Sequence, residues 1–403
     1  VLLLHQITKQ TLLIILKSGY EAAFFIFAET VQALNSAERY IEDKLEARKA
    51  AGNYRQLKPE SSLIDFCSND YLGFAHSAEL KQMIRAEEDK HPSFLNGSTG
   101  SRLLTGNSAY AEELEAQIAV WHQAEAGLLF NSGYDANIGL LSSLAQRGDT
   151  IICDELIHAS LIDGARLSYA NRYTFKHNDP TALEEKLKNA KGITYVVIES
   201  VYSMDGDIAP IAEMLELTEQ YSASLIVDEA HALGVFHKGL VNQLNLQNRI
   251  FARIMTFGKA LGCHGAIVLG SSSLRNYLIN FSRSFIYSTA ASFNQLAAIK
   301  MGYELLRGSE ETIAQLRENI RLFKQQITST QMIESTSAIQ CLMAGTNEKA
   351  AHLSQQLKAA GIDARPILSP TVAAGTERLR ICLHSFNTPH EITLLTTIIN
   401  QLS

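Results

Sequence analysis

No two cysteines in this chain stand at CxxC spacing, and none of the five, Cys67, Cys153, Cys263, Cys341 and Cys382, sits in a metal-ligand pattern. Dispersed thiols in odd number argue against a disulfide framework and suit a reducing cytoplasm. No metal is expected. Basic runs are missing too. With a net charge of −7 and a sequence pI of about 6.0, the chain offers no electrostatic footprint for a phosphate backbone, so nucleic acid is not an expected partner. Nor does any apolar stretch reach the roughly 20 residues that a bilayer span requires. The apolar opening, VLLLHQITKQTLLIILKSGYEAAFFIFAETVQALN, is interrupted by Lys9, Lys17 and Glu21. Its basic residues follow the first apolar run and no small-residue cleavage site is evident, which makes a poor signal peptide. Residues 1–36 therefore read as an extension or a peripheral helix without a function of its own, and no membrane partner is expected.

What the chain does have is apolar matter. Of its 403 residues, 46% are hydrophobic and 19% charged, enough for the large core of a soluble globular protein. From Ala37 onward, short apolar runs alternate with helical patterns. The runs are GLLF, TIICD, ITYVVIES, SLIVDEA, ARIMTF and GAIVLGS, bounded by polar residues or glycine. Helical patterns such as PTALEEKLKNA and IAPIAEMLELTEQYS lie between them. Ahead of them, SAYAEELEAQIAVWHQA sets Leu114, Ile118 and Trp121 on one helical face. Continuous apolar strands separated by helices predict an α/β domain on a mostly parallel sheet covered on both faces.

Ligands of an open parallel sheet bind beyond the carboxyl ends of its strands. There the sequence sets Asp154 and His158 after TIIC, Glu199 and Ser203 after TYVVI, Asp228 and His231 after SLIV, and Lys259 after RIMTFG. Singly, each is an ordinary helix cap or structural histidine. Four successive strands ending in ionisable groups indicate a site. Residues 228–231 spell DEAH, the box of nucleic-acid helicases. Such a motor needs an upstream GxxxxGK[ST] loop to cradle phosphates. The only GK dipeptide, Gly258–Lys259, lies downstream, with Arg253 where the first glycine belongs and Ala260 in place of Ser or Thr. The helicase reading fails.

A lysine that forms a Schiff base with a carbonyl cofactor is a better answer, and pyridoxal phosphate (PLP) also wants a carboxylate to keep its ring nitrogen protonated. Lys259 and Asp228 supply these groups, and His231, on the same turn as Asp228, is in reach of the ring hydroxyl or a substrate carbonyl. In FNSGYDANIGLLSSLA a strand runs through a small-residue turn into a helix, setting the amides of Gly133 and Tyr134 at a helix N-terminus, where an anion is favoured. By itself the turn is equally an ordinary connection capped by Ser132 or Asn131.

Seven ordered motifs, SNDYLGF (68–74), GSTGSRLLTGN (97–107), SGYDAN (132–137), DELIHASLIDG (154–164), ESVYSMDGDIAP (199–210), DEAHALG (228–234) and TFGKALG (256–262), resemble the α-oxoamine synthase family of fold-type I PLP enzymes. The resemblance spans roughly residues 37–403. It implies that Lys259 carries the Schiff base, Asp228 pairs with the pyridine nitrogen and His158 stacks on the ring. Gly133 and Tyr134 match the backbone cradle beside the cofactor, Ser203 and His231 match ligands of the ring oxygen, and Thr256 matches a phosphate contact. Thr289, in YSTAAS, resembles a residue that reaches the phosphate of the neighbouring subunit, so a homodimer with its active site at the subunit interface is implied. Substrate positions carry over as Arg55, Asn69, Thr371 and Arg380, the last gripping the amino-acid carboxylate, a task suited to a planar bidentate guanidinium. One departure stands out: GVFHKGLVNQLNLQNRI (234–250) is poorer in glycine than the corresponding family loop.

The implied reaction is a decarboxylative Claisen-type condensation of an amino acid with an acyl thioester, the freed Lys259 amine taking the Cα proton. Four pairings occur in the family: L-alanine with a pimeloyl thioester, glycine with acetyl-CoA, glycine with succinyl-CoA, and serine with palmitoyl-CoA. The wording of TFGKALGCHGAIVLGS and RLRICLHSFNT most resembles the first. The family fold implies an N-terminal segment at 37–78, a large PLP-binding domain at 79–290 and a smaller C-terminal α+β domain at 291–403. The helical FNQLAAIKMGYELLRGSEETIAQLRENIRLFKQQI and the runs IQCLMAG, ARPIL and RLRICLH suit that smaller domain.

Overall fold

The structure, a computed structural model, describes residues 21–402 apart from Lys58, Glu60, Ser61 and Leu95, with side chains from Asn35 onward. The chain divides into two units, Val1–Ser61 and Ser62–Ser403. In the first, Glu21–Ala50 is one helix. The start of the expected extension at 1–36 lies outside the described residues.

The second unit holds a seven-stranded sheet made of β1 (Ala126–Phe130), β2 (Thr150–Asp154), β3 (Asn171–Phe175), β4 (Thr194–Glu199), β5 (Ser224–Asp228), β6 (Ala252–Thr256) and β7 (Ala266–Gly270). Their order is β1-β7-β6-β5-β4-β2-β3, and only β7 runs antiparallel to its neighbours. Six of the seven are the apolar runs of the sequence. Every residue of β4 is buried, which is why TYVVIE shows no alternation: helices cover both faces of a parallel sheet. β3 goes unannounced by the sequence because NRYTF is an edge strand whose first four residues are exposed. Because β1, β2, β4, β5 and β6 share one direction, their carboxyl ends meet along one rim. Asp154, Glu199, Asp228 and Thr256 end strands there, and helices α1 (Gly133–Leu144) and α2 (Ala159–Leu167) begin there.

A second, antiparallel sheet contains β8 (Ile339–Met343), β9 (Arg365–Ile367) and β10 (Arg378–Cys382) in the order β9-β10-β8. Its middle strand is fully buried and carries Arg380, in register with Cys341 on one side and Arg365 on the other. Both sheets belong to the one unit Ser62–Ser403. The glycine-poor stretch 234–250 forms a short helix, Leu240–Gln243, whose Val241 amide donates to Glu229 Oε1 at 2.9 Å. Among the described residues, no helix is long and apolar enough to cross a membrane and no cluster of ligands suits a metal ion. All five cysteines are free.

Asp154 ends β2 but turns away from the lysine, toward His177. Nδ1 of His177 lies 2.9 Å from Asp154 Oδ1, and Nε2 lies 2.7 Å from Asp207 Oδ2. Burial works against a charge on this ring, but hydrogen bonds and charge from the two carboxylates outweigh it and raise the imidazole to about 10. The clamp ties β2 to the loop that carries Ser203, where Asp207 also receives Asn178 Nδ2 at 2.7 Å. A pKa raised from an unfolded value near 6.5 stabilises fully below about pH 6.5 and loses that contribution as pH climbs toward 10. His177→Gln is therefore expected to cost about 2 kcal/mol at pH 6, somewhat less than removing one partner of a fully buried pair. The gap to wild type should narrow by pH 10 in urea unfolding curves. A gap of constant size across that range contradicts a charged clamp.

Candidate active site

Lys259 follows β6 in a tight turn and is partly buried. Its Nζ lies 2.6 Å from His231 Nε2, and on the far side of that ring Nδ1 lies 2.7 Å from the hydroxyl of Tyr71. The Tyr71 hydroxyl donates to Asn69 Oδ1 at 3.1 Å, and the same oxygen accepts Arg380 Nη2 at 3.0 Å. Arg380 Nε donates to the Ser203 carbonyl at 2.7 Å. One hydrogen-bonded row thus runs from the amine to the guanidinium. Burial lowers Lys259 to about 8, against the opposing pull of the Asp228 and Glu199 carboxylates. Burial, and then the positive charge of Lys259, hold His231 well below the ordinary histidine range, so its ring is neutral at pH 7.

Asp228 ends β5 and is buried. One carboxylate oxygen accepts the Ala230 amide at 2.9 Å and the other accepts Asn137 Nδ2, from α1, at 2.8 Å. The same Asn137 nitrogen donates to Ser160 Oγ at 2.9 Å, and Ser160 lies 2.7 Å from His158 Nδ1. Directly across from Asp228 in the sheet register stands Glu199. Burial, reinforced by the Asp228 charge, raises Glu199 to about 8. Its two oxygens accept the backbone amides of His158 and Ser203, so a single carboxyl group ties together the loops bearing both residues.

At the start of α1, Ser132 caps the helix by accepting the Asp135 amide. A Cβ added to Gly133 would stand 2.4 Å from Thr256 Oγ1; only glycine leaves the helix N-terminus and the end of β6 this close. These features fit PLP. Gly133 opens α1 beside the Thr256 hydroxyl, and the amides of a helix N-terminus suit a phosphate. Asp228 is a buried carboxylate that meets two neutral donors and makes no ion pair among the described residues, an arrangement that calls for a cation such as a protonated pyridine nitrogen. Lys259 supplies a primary amine that gives up its proton near pH 8, well below an exposed lysine.

Beside these groups opens a cleft of about 1130 Å³, with His158, Ser203 and Thr371 in its wall and Ile162, Met204 and Val372 among its apolar lining. The structure thus brings Lys259 to His231, Asn69 to Arg380, Arg380 to Ser203, and His158 and Thr371 to one cleft. Tyr134 is the second residue of α1, so its amide lies at the helix N-terminus next to that of Gly133, while its exposed hydroxyl donates to Asp163 Oδ2 at 2.5 Å. Thr289 is exposed, and its carbonyl accepts Asn131 Nδ2 at 2.8 Å. Arg55 belongs to the first unit. Sequence reasoning missed Tyr71 and Asn137 as site residues, although SNDYLGF and SGYDAN contain them, and noted Glu199 only as a strand-end acid.

The model of the family "Aminotransferase class I and II" matches residues 61–397. The 8-amino-7-oxononanoate synthase of Emericella nidulans is 44% identical over 404 residues, covering 92% of this chain and 95% of that one. A crystal structure of the 8-amino-7-oxononanoate synthase from Francisella tularensis superposes with a TM-score of 0.72 at 27% identity, over 85% of this chain and 98% of that one. SPT, a serine palmitoyltransferase, with its PLP internal aldimine superposes with a TM-score of 0.78 at 27% identity, over 84% of this chain and 87% of that one.

Proposed function

Since the chain belongs to the class I and II aminotransferase family and, within it, to the α-oxoamine synthases, we propose that it condenses L-alanine with a pimeloyl thioester. The products are 8-amino-7-oxononanoate, carbon dioxide and the free thiol. The observation that carries this reading is the 44% identity to the Emericella nidulans synthase over nearly the whole of both chains. The placement of Lys259 against His231, with Asp228 buried nearby, supports it.

PLP is the proposed cofactor: Lys259 would hold its aldehyde carbon, Asp228 its ring nitrogen, and the amide of Gly133 with the Thr256 hydroxyl its phosphate, and bound there it would supply the electron sink that makes a substrate Cα proton removable. The protein's own groups do the rest. Lys259, once freed, holds the abstracted proton at Nζ, a role that its lowered value near 8 favours at neutral pH. Arg380 binds the amino-acid carboxylate, and the Ser203 carbonyl and Asn69 fix its guanidinium. His158 would cover one face of the cofactor ring, and Ser203 and His231 would hold its ring oxygen. The cleft beside Thr371 takes the acyl chain along Ile162, Met204 and Val372 and excludes water from it. Arg55 remains assigned to the substrate on the family resemblance alone, and the Tyr134 amide to the cofactor on its place at the start of α1.

We also propose that the working form is a homodimer, Thr289 reaching the partner's phosphate site. Leu104, 80% exposed, and Tyr287, 72% exposed, present apolar surface beside the contact between the Ala290 amide and the Gly100 carbonyl at 3.0 Å. Five free thiols suit a cytoplasmic setting.

Thiol and carbon dioxide release from PLP-loaded protein test the reading. L-Alanine with pimeloyl-CoA should exceed glycine with acetyl-CoA, glycine with succinyl-CoA, and serine with palmitoyl-CoA in kcat/KM by on the order of 100-fold. Preference for serine and palmitoyl-CoA would keep the family and overturn the substrate assignment.

A further inference from the structure

We infer that Tyr71 fixes the tautomer of His231, holding the ring proton on Nδ1 and turning the Nε2 lone pair toward Lys259, and is thereby a positioning residue for the reactive amine. The inference deepens the proposed function and rests on its reading of Lys259.

The argument begins at Arg380, because a guanidinium has donors only. Its Nη2 stands 3.0 Å from the Asn69 side chain, so the Asn69 atom facing it must be the carbonyl oxygen; the flipped amide would set N–H against N–H. That oxygen is also the acceptor of the Tyr71 hydroxyl at 3.1 Å. A phenol has one proton. With this proton directed to Asn69, the Tyr71 oxygen offers only lone pairs to His231 Nδ1 at 2.7 Å, so Nδ1 must be the donor. A neutral imidazole protonated on Nδ1 has a bare Nε2, and Nε2 is the atom 2.6 Å from Lys259 Nζ. Every hydrogen bond in the row then points one way: Lys259 donates to His231, His231 to Tyr71, and Tyr71 to Asn69, where Arg380 donates from the other side. Tyr71 is fully buried, so bulk water does not compete for its hydroxyl. Each ring nitrogen of His231 has a single partner among the described residues, and above about pH 8, where the Lys259 amine is neutral and can accept as well as donate, Tyr71 alone decides the tautomer.

Two variants disturb the row at different links. Tyr71→Phe keeps the ring and removes the acceptor, leaving a buried Nδ1–H unpaired, and the lower-cost state moves the proton to Nε2. Asn69→Ala leaves Tyr71 in place and frees its proton to donate to Nδ1, which again drives the histidine proton to Nε2. The consequence for Lys259 is the same in both. An Nε2–H can be met only by a neutral amine, so the orienting acceptor of the lysine is lost.

The test is nitrogen NMR of the full-length protein carrying ¹⁵N-histidine, recorded before and after PLP is added, with the His231 signals assigned through His231→Gln. At pH 9, where the Lys259 amine is mostly neutral, Nδ1 should carry the proton in the PLP-free wild type, and in Tyr71→Phe and Asn69→Ala the proton should appear wholly or partly on Nε2. In turnover, Tyr71→Phe should lower kcat about tenfold while KM for L-alanine stays within about threefold. A wild-type His231 protonated on Nε2, or an unchanged Nδ1–H tautomer in both variants, overturns the inference. The wild-type spectrum decides the first of these even if a variant fails to fold. Wild-type protein that releases no thiol from pimeloyl-CoA counts against the proposed reaction only, since the tautomer is read without turnover.

Discussion

Lys259→Ala should lower thiol release from L-alanine and pimeloyl-CoA by about 10⁴-fold or more, because the proposed mechanism makes a single amine both the cofactor's attachment point and the base for the Cα proton. The same variant should retain no PLP absorbance after gel filtration and borohydride treatment. Attachment requires the neutral amine, which wild-type Lys259 becomes as pH rises through about 8, where an exposed lysine would wait until about 10.4. Uptake of PLP by the cofactor-free wild type should therefore quicken about tenfold per pH unit below 8 and level off above it. Loss of fold cannot imitate this result. The folded value of Lys259 lies below its unfolded value, so the unfolded chain binds the extra proton between about pH 8 and 10.4, and the wild-type fold gains stability as pH rises through that window. Below pH 8 the buried ammonium burdens the fold. Cofactor-free Lys259→Ala is thus expected to melt at or above the wild-type temperature at pH 7, and a variant that melts far lower would assign the lysine a structural part that the proposed mechanism does not give it. Activity within about 100-fold of wild type would remove Lys259 from the chemistry altogether.

How much of this could be read before the fold was known depends on the range of the interaction. Strands buried on both faces announce themselves as apolar runs, so β1, β2, β4, β5, β6 and β7 are legible, while β3 meets water along most of its length and has no such signature. Lys259, Asp228 and His231 are legible because the chemistry of a parallel sheet collects at strand ends, and each stands immediately after its own run. Their supports are not. Tyr71 meets His231 across 160 residues and Asn137 meets Asp228 across 91, and no local periodicity encodes a pairing of that kind. Glu199 is a strand-end acid like the others, but its work of holding the His158 and Ser203 amides becomes visible only once two separate loops fold over it. Asp154 shows the converse: the same strand-end position, and a carboxylate committed instead to His177.

Asp228→Asn carries the second large effect, and it separates charge from shape. The amide has the volume of the carboxylate and can still accept the Ala230 amide, which now donates at 2.9 Å, so the local backbone should hold. What disappears is the negative charge that the proposed mechanism assigns to keeping a pyridine nitrogen protonated. By analogy with the removal of one preorganised electrostatic partner, kcat should fall roughly 10²–10³-fold, equivalent to about 2.7–4 kcal/mol. The sheet register adds a consequence that a simple loss of activity lacks. Glu199 faces Asp228 across adjacent strands and owes part of its rise to about 8 to that charge, and the same charge opposes the burial that lowers Lys259. Neutralising Asp228 should therefore move both groups downward together: Glu199 ionises at lower pH, and the midpoint for PLP uptake by Lys259 falls below 8. The uptake profile of the variant measures the second shift without any turnover. Activity lost with an unmoved midpoint would mean that Asp228 acts on the bound cofactor alone, too far from the lysine to matter electrostatically. Activity kept within about tenfold of wild type would mean that the ring nitrogen does not sit on Asp228 at all.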